Sequence, residues 1–218
     1  MYVVIAGLSD VGKNLAVLLA RQGDEVVIVD RNPSRCNDMA EGSDVMVITG
    51  DASQKAILEE AGVKKAYAFV AAAGDDSENL MLCMIAREMG ARMVISLVDD
   101  TEHEEAFKQA GVTLQVNLDM VAARHISRMI SQPYVKDFMT CPGSEIVEVE
   151  VETGMKCVGR RISELKAPKG IGILVTQRGG RTLDTDDIIR QGDWLTLIVN
   201  QGAARQGTEF MDKWFAKG

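Results

Sequence analysis

Short apolar runs alternate with longer amphipathic stretches from the first residues to Val116. Tyr2–Ala6 is a β-branched run that stops at Gly7, the pattern of a strand buried on both faces. From Gly12 to Gln22, Leu15, Leu18 and Leu19 recur at helical spacing, and Gly23 supplies the stop. Glu25–Val29 predicts a second strand ending at Asp30, and Asn32-Pro33-Ser34 opens the next helix. Val45–Ile48, Ala68–Ala71 and Val94–Val98 predict three more strands, with Leu114–Val116 a weaker sixth. Helical patterns at Gln54–Ala61, Ser77–Met89 and Glu102–Ala110 separate them, closed by Gly62, Gly90 and Gly111. Strands divided by helices require crossover connections, so the expected fold is a doubly wound α/β domain with a parallel sheet.

Leu118–Gln132 predicts one more amphipathic helix, with Met120, Val121, Ile126, Met129 and Ile130 as packing positions. Such a Met-rich stripe suits its own sheet or the surface of a second copy. Proline and glycine then cluster at Gln132-Pro133-Tyr134 and Cys141-Pro142-Gly143, which reads as a hinge. The expected organisation is therefore an N-terminal domain at 1–133, a linker at 134–143 and a second domain at 144–218. Within the last, Glu145–Glu152 alternates charged and apolar residues as a half-buried strand does. Arg161–Leu165 fits a short helix, and Ile171–Gln177 and Trp194–Val199 fit strands, with turns at Gly179-Gly180 and Gly192-Asp193. Phe210, Met211, Trp214 and Phe215 suggest a short docked helix. A compact α+β module this small is expected to lean on a partner copy.

Charge narrows the function. Up to Pro142 there are 13 Lys and Arg against 21 Asp and Glu, and beyond it 11 against 11, so the net charge of −8 lies in the first part. A polyanion is an unexpected partner for such a chain, because nucleic-acid binding relies on clustered cations. No apolar run is long enough to span a bilayer, and MYVVIAG has no basic segment before an apolar one, so a cytoplasmic location without membrane insertion is expected. The four cysteines form no C-x-x-C and only two histidines are present, which points to free thiols and no metal centre.

The candidate chemistry sits at the first strand-to-helix turn. Gly7-Leu8-Ser9-Asp10-Val11-Gly12 occupies the place of the dinucleotide fingerprint, after a strand and at the start of a helix. Gly7 permits the turn, Gly12 permits close packing, and the helix-start amides face a phosphate. Ser9 replaces the middle glycine and offers a hydroxyl in its place. Asp30, at the end of the second strand, is placed to accept from ribose hydroxyls. The loops after the third and fourth strands supply Asp51, Ala52, Ala73, Gly74, Glu78 and Asn79, with Arg31 the nearest basic residue. Asp51 suits an adenine amino group, and Glu78 with Asn79 suits a distal phosphate or ribose. The plain alternative is helix capping, favoured for Asp76.

The chain resembles, over nearly its whole length, the cytoplasmic regulatory subunits of Trk/Ktr-type potassium uptake systems, built from an RCK (TrkA-N) and a TrkA-C domain. The matching segments are VVIAGLSDVGKNLAVLL, VVIVDRN, VITGDAS, AILEEAGVKKAYAFVAA and DSENLMLCMIAREMGA, then EVEVETGMKCVGRRISEL, GIGILVTQRGG and IIRQGDWLTLIV. The resemblance implies a Rossmann-like domain binding NAD(H) or an adenine nucleotide (AMP, ADP or ATP), and no enzymatic activity. It implies homodimers that assemble into a larger ring and gate a membrane-embedded potassium transporter from the inner face. Two positions depart from the family: Asp10 stands where a basic residue is common, and Ser96-Leu97 where an arginine is. An acidic rim favours AMP, NAD(H) or a nucleotide bridged by a divalent cation over free ATP. A Rossmann dehydrogenase is the rival class, but no Tyr is followed by Lys at four residues, and His103 and His125 are expected away from the strand ends. A scaffold with a vestigial nucleotide site is the third reading.

Overall fold

In the computed structural model, which describes residues 1–217, the chain divides into two compact units, Met1–Ala122 and Ala123–Gly218. The first contains β1 (Tyr2–Ala6), α1 (Asp10–Arg21), β2 (Glu25–Asp30), α2 (Pro33–Gly42), β3 (Met46–Thr49) and α3 (Lys55–Glu60). It continues with β4 (Ala68–Ala71), α4 (Asp76–Glu88), β5 (Met93–Leu97), α5 (Glu104–Gln109) and β6 (Leu114–Val116). The six strands form one parallel sheet in the order β3-β2-β1-β4-β5-β6. This is the doubly wound fold the pattern predicts.

Strand period two explains the two layers. Val4, Val27, Val29, Phe69 and Ala71 point to one face, where Leu58, Leu82 and Phe107 of α3, α4 and α5 cover them. Val3, Ile5, Val26, Ile28 and Val70 point to the other, against Ala16 of α1 and Cys36 and Met39 of α2. The strand order reverses beside β1, between β2 and β4, and the carboxyl ends of β1 and β4 open there. In doubly wound sheets that reversal is where a ligand crevice forms.

α6 (Leu118–Ser131) carries the chain across the division between the units, and no residue of it is fully buried. The second unit adds β7 (Val135–Cys141), β8 (Ser144–Glu150), β9 (Ile171–Arg178), β10 (Arg181–Thr182), β11 (Trp194–Asn200) and α7 (Ala204–Phe215). These strands form an antiparallel sheet in the order β10-β9-β11-β8-β7, and Ile162–Leu165 is a 3-10 turn. α7 buries Phe210, Met211 and Phe215 against this sheet, as the apolar tail suggests.

The interval 134–143 is not a linker. Tyr134 and Val135 are buried, β7 pairs with β8 from Val135 to Cys141, and Pro142-Gly143 is the hairpin turn between them. Gly143 adopts a φ of 77°, which the reversal requires. Proline and glycine mark a tight turn as readily as a hinge, and only the strand partner distinguishes them. The division between compact units falls inside α6 instead.

Candidate functional site

β1 ends by driving the backbone into a turn that only glycine fits. Gly7 has a φ of 107°, and a Cβ there would lie 2.3 Å from the Ala72 carbonyl oxygen. A Cβ on Gly12 would meet the Gly7 oxygen at the same 2.3 Å. Ser9 adopts ordinary extended backbone, which is why a serine serves at the middle position. Its Oγ accepts from the Gly12 amide at 3.2 Å and caps α1, leaving its own proton to donate. Among the described residues the amides of Ser9, Asp10 and Val11 have no protein acceptor, so three donors emerge at the positive end of a 12-residue helix.

Asp30 is anchored beside them. One carboxylate oxygen accepts from the Leu8 amide at 2.7 Å and the other from the Asn32 amide at 2.8 Å. This fixes the carboxylate edge and ties β2 to the turn after β1. Each oxygen keeps a lone pair for a further donor. Arg35, in the first turn of α2, donates to the Leu8 carbonyl at 3.1 Å and braces the same turn.

Across the cleft, the Asn79 side chain accepts from the Ala73 amide at 2.8 Å and donates to the Leu97 carbonyl at 3.3 Å. It is buried, so it staples the β4 and β5 ends together and does not reach a phosphate or ribose, contrary to the expectation from the sequence. Asp75, not Asp76, caps α4, accepting from the Glu78 amide at 2.9 Å. Glu78 turns back over the cleft and pairs with Arg31. Asp51 accepts from the Ser53 amide at 2.9 Å, a bond that, with the Ser53 hydroxyl and nearby Arg31, holds its carboxyl below the ordinary value.

Asp76 is buried at the foot of this wall. It accepts from the Asp99 and Asp100 amides at 2.8 and 3.0 Å and from His103 Nδ1 at 2.7 Å. Burial pushes its carboxyl up, but these bonds outweigh it and the net shift is downward. His103 is raised in turn, first by its bond to Asp76 and then by Asp100 and Glu102. His103 therefore stands at the strand ends, contrary to the expectation that it lies remote from them. The loop after β5 folds back to α4 through Asp76, which no local spacing announces.

The enclosed volume is about 240 Å³. Gly7, Leu8, Ser9, Asp30, Arg31, Ala52, Ala73, Gly74 and Glu78 line it, together with Arg35, Gly50 and the apolar Val29 and Leu82. Asp10, Val11, Gly12 and Asp51 do not. Asp10 is exposed in the first turn of α1, and two arginines line the cleft, so the rim is of mixed charge and not uniformly acidic. Arg35 was legible only as a residue one helical turn into α2, and Leu82 as the position one turn after Glu78. The volume suits one nucleoside with its first phosphate better than a whole dinucleotide.

Residues 3–118 match the family model described as the TrkA-N domain. A Trk system potassium uptake protein TrkA homolog of Methanothermobacter thermautotrophicus is 31% identical over 212 residues, covering 95% of this chain and 98% of that one. The chain belongs to the TrkA family of Trk potassium-uptake proteins. The Trk system potassium uptake protein TrkA of Streptomyces coelicolor shares 26% identity over 224 residues, 100% of this chain and 97% of its own. Among solved structures, the GsuK channel bound to NAD superposes with a TM-score of 0.69 at 18% identity, which shows a common fold. It covers 100% of this chain, which spans only 40% of that one. The Shewanella denitrificans Kef C-terminal domain in its AMP-bound form is 27% identical, with a TM-score of 0.50 over 60% of this chain and 80% of its own. The channel RCK domain thus shares the fold of this chain. Among the described residues, no helix is long and apolar enough to cross a membrane, and no group of three or more His, Cys, Asp or Glu could hold a metal ion.

Proposed function

We propose that this chain is a non-enzymatic regulatory subunit. Its first unit binds an adenosine-bearing nucleotide, NAD(H) or AMP, ADP or ATP, and its bound state sets the activity of a membrane-embedded potassium transporter. The observation that carries this reading is Asp30, oriented by two backbone amides, standing beside three unpaired amides at the start of α1. A carboxylate at one strand end and the Ser9 amide at the helix start on the cleft wall are the kinds of group that receive a ribose and a phosphate. The family match over residues 3–118, and structural neighbours solved with NAD, ADP and AMP, support the ligand class. The subunit works at the inner face of the membrane as a homodimer that assembles into a larger ring. A divalent cation assists only the more highly charged nucleotides, by bridging a phosphate to a carboxylate of the mixed-charge rim.

Calorimetric titration with AMP and NADH tests this. Asp30→Ala removes a charged acceptor worth about 1.5–3 kcal/mol, a loss of one to two orders of magnitude in affinity on the scale of about 1.4 kcal/mol per tenfold. Because Asp30 also braces Leu8, the melting temperature of the ligand-free variant must be read alongside. Unchanged affinity in a folded Asp30→Ala protein removes Asp30 from the ribose, and no binding by wild type leaves a scaffold with a vestigial site.

A further inference from the structure

We propose that the Arg31–Glu78 ion pair is a strap across the strand-end cleft that selects ligands by length, favouring a mononucleotide such as AMP over a dinucleotide such as NAD(H). This rests on the nucleotide reading of the cleft and adds a specificity-determining pair to it.

The pair spans the crevice. Arg31 follows β2, Glu78 lies in the first turn of α4 after β4, and β2 and β4 flank β1 on opposite sides. Neighbouring strands lie about 4.7–4.9 Å apart, so two such spacings separate the strand ends, and the turn after β1 falls between them. Both side chains line the same cleft as Gly7, Leu8 and Ser9 of that turn. Reaching toward each other from either side, they close over the space in front of it.

Each end of the strap is fixed at the backbone and free at the side chain. Asp30 accepts from the Asn32 amide at 2.8 Å and so pins the turn that carries Arg31. Asp75 accepts from the Glu78 amide at 2.9 Å and pins the other end. Among the described residues the Arg31 side chain makes no hydrogen bond except the one to Glu78, and it is 64% exposed. Arg35, the other cleft arginine, is committed to the Leu8 carbonyl instead. Arg31 can therefore swing away without disturbing β2 or α4. An ion pair this exposed is weak, which suits a contact that opens for some ligands and stays closed over others.

Length follows from the space left. With the strap in place the cleft encloses about 240 Å³, enough for a nucleoside and its first phosphate. A dinucleotide lies across such a crevice with one half on each side of the strand-order reversal. With its adenosine ribose on Asp30 beside β2, its second half runs to the β4 side, where the strap stands. It gains room only when the pair opens, whereas AMP ends short of it.

The test is calorimetric titration of the full chain with AMP and NADH at pH 8, for wild type, Glu78→Gln and Arg31→Gln, with the ligand-free melting temperature of each. Both ligands carry about two negative charges at that pH, so the ratio of their affinities reports length more than charge. Either substitution breaks the strap, but Glu78→Gln removes a negative charge from the cleft and Arg31→Gln a positive one. A purely electrostatic role moves the affinity for these anions in opposite directions in the two variants and leaves the NADH-to-AMP ratio in place. The strap requires that ratio to rise in both, by about two- to fivefold. NADH binding that appears only in the variants counts as the same rise. A ratio that is unchanged or falls in either folded variant overturns the strap and leaves the nucleotide reading intact. Failure of folded wild type and both variants to bind either ligand overturns the nucleotide reading and the strap with it.

Discussion

Asp76 and His103 sit 27 positions apart in the chain yet share a 2.7 Å hydrogen bond, and the two titrate against each other. The His103 midpoint lies above its ordinary value of 6.5, chiefly because the Asp76 carboxylate accepts from its ring. The pair therefore stabilises the fold fully below pH 6.5, and this contribution fades as the pH rises through the folded midpoint. Asp76 lies below its ordinary 3.8, so its contribution is present above that pH and is lost as the pH falls through its folded value. Proton NMR of the His103 ring should show a midpoint above 6.5 in wild type and a lower one in Asp76→Asn. Equal midpoints would mean that the hydrogen bond does not form in solution. The glycines make a second residue-scale prediction. Gly12→Ala places a Cβ 2.3 Å from a backbone oxygen, which cannot move aside as a side-chain tip can. Overpacking of this kind costs about 1–3 kcal/mol, and Gly7→Ala should cost more because its φ of 107° is strained for any L side chain. Urea denaturation followed by circular dichroism gives the ranking. Gly7, Gly12 and Asp30 were legible in the sequence because their tasks are local to one turn. Asn79, Arg35 and the Asp76–His103 pair were not, because their partners arrive from other strand ends.

At the scale of elements, α6 stands apart. Its 14 residues include none that is buried, and Val121, Ile126, Met129 and Ile130 are exposed, Ile130 at 77%. A helix of this length is marginal in water without a covered apolar face. A second copy of the chain is the occupant that the family resemblance implies. Each apolar side chain then contributes about 1.5–3 kcal/mol before ordering costs are deducted. Met129→Glu with Val121→Glu should shift the protein toward monomers by light scattering, and equal masses for wild type and variant would place the contact elsewhere. The amphipathic pattern was enough to predict this helix and its stripe. It was not enough to predict β7, because its residues Val135–Cys141 carry no clean alternation and the flanking prolines suggested a break.

The whole molecule is two units with different charges and separate cores. Stability of the second rests partly on Asp193, which is fully buried and held by the Arg178 guanidinium at 2.7 and 2.8 Å and by the Arg190 amide at 2.8 Å. Arg178→Ala leaves that buried carboxylate with the Arg190 amide as its remaining donor and should lower the urea midpoint of the second unit. Trp194 and Trp214 are the two tryptophans of the chain and both lie in this unit, so their fluorescence in urea reports its unfolding. A variant as stable as wild type would show that the single hydrogen bond from the Arg190 amide suffices for Asp193. A nucleotide at 100 times its dissociation constant should add about 2.7 kcal/mol to the first unit while leaving the tryptophan transition in place if the units unfold independently. The sequence by itself determined the parallel sheet, the glycine turn and the acid after β2, since apolar period, a positive φ and a strand end are properties of neighbouring residues. Only the tertiary structure decided that Arg31 meets Glu78 across 47 positions, that Asp76 meets His103, and that Arg124 and Arg128 overlook a hairpin instead of a linker. Those contacts depend on the order in which strands join the sheets, and spacing along the chain carries no record of that order.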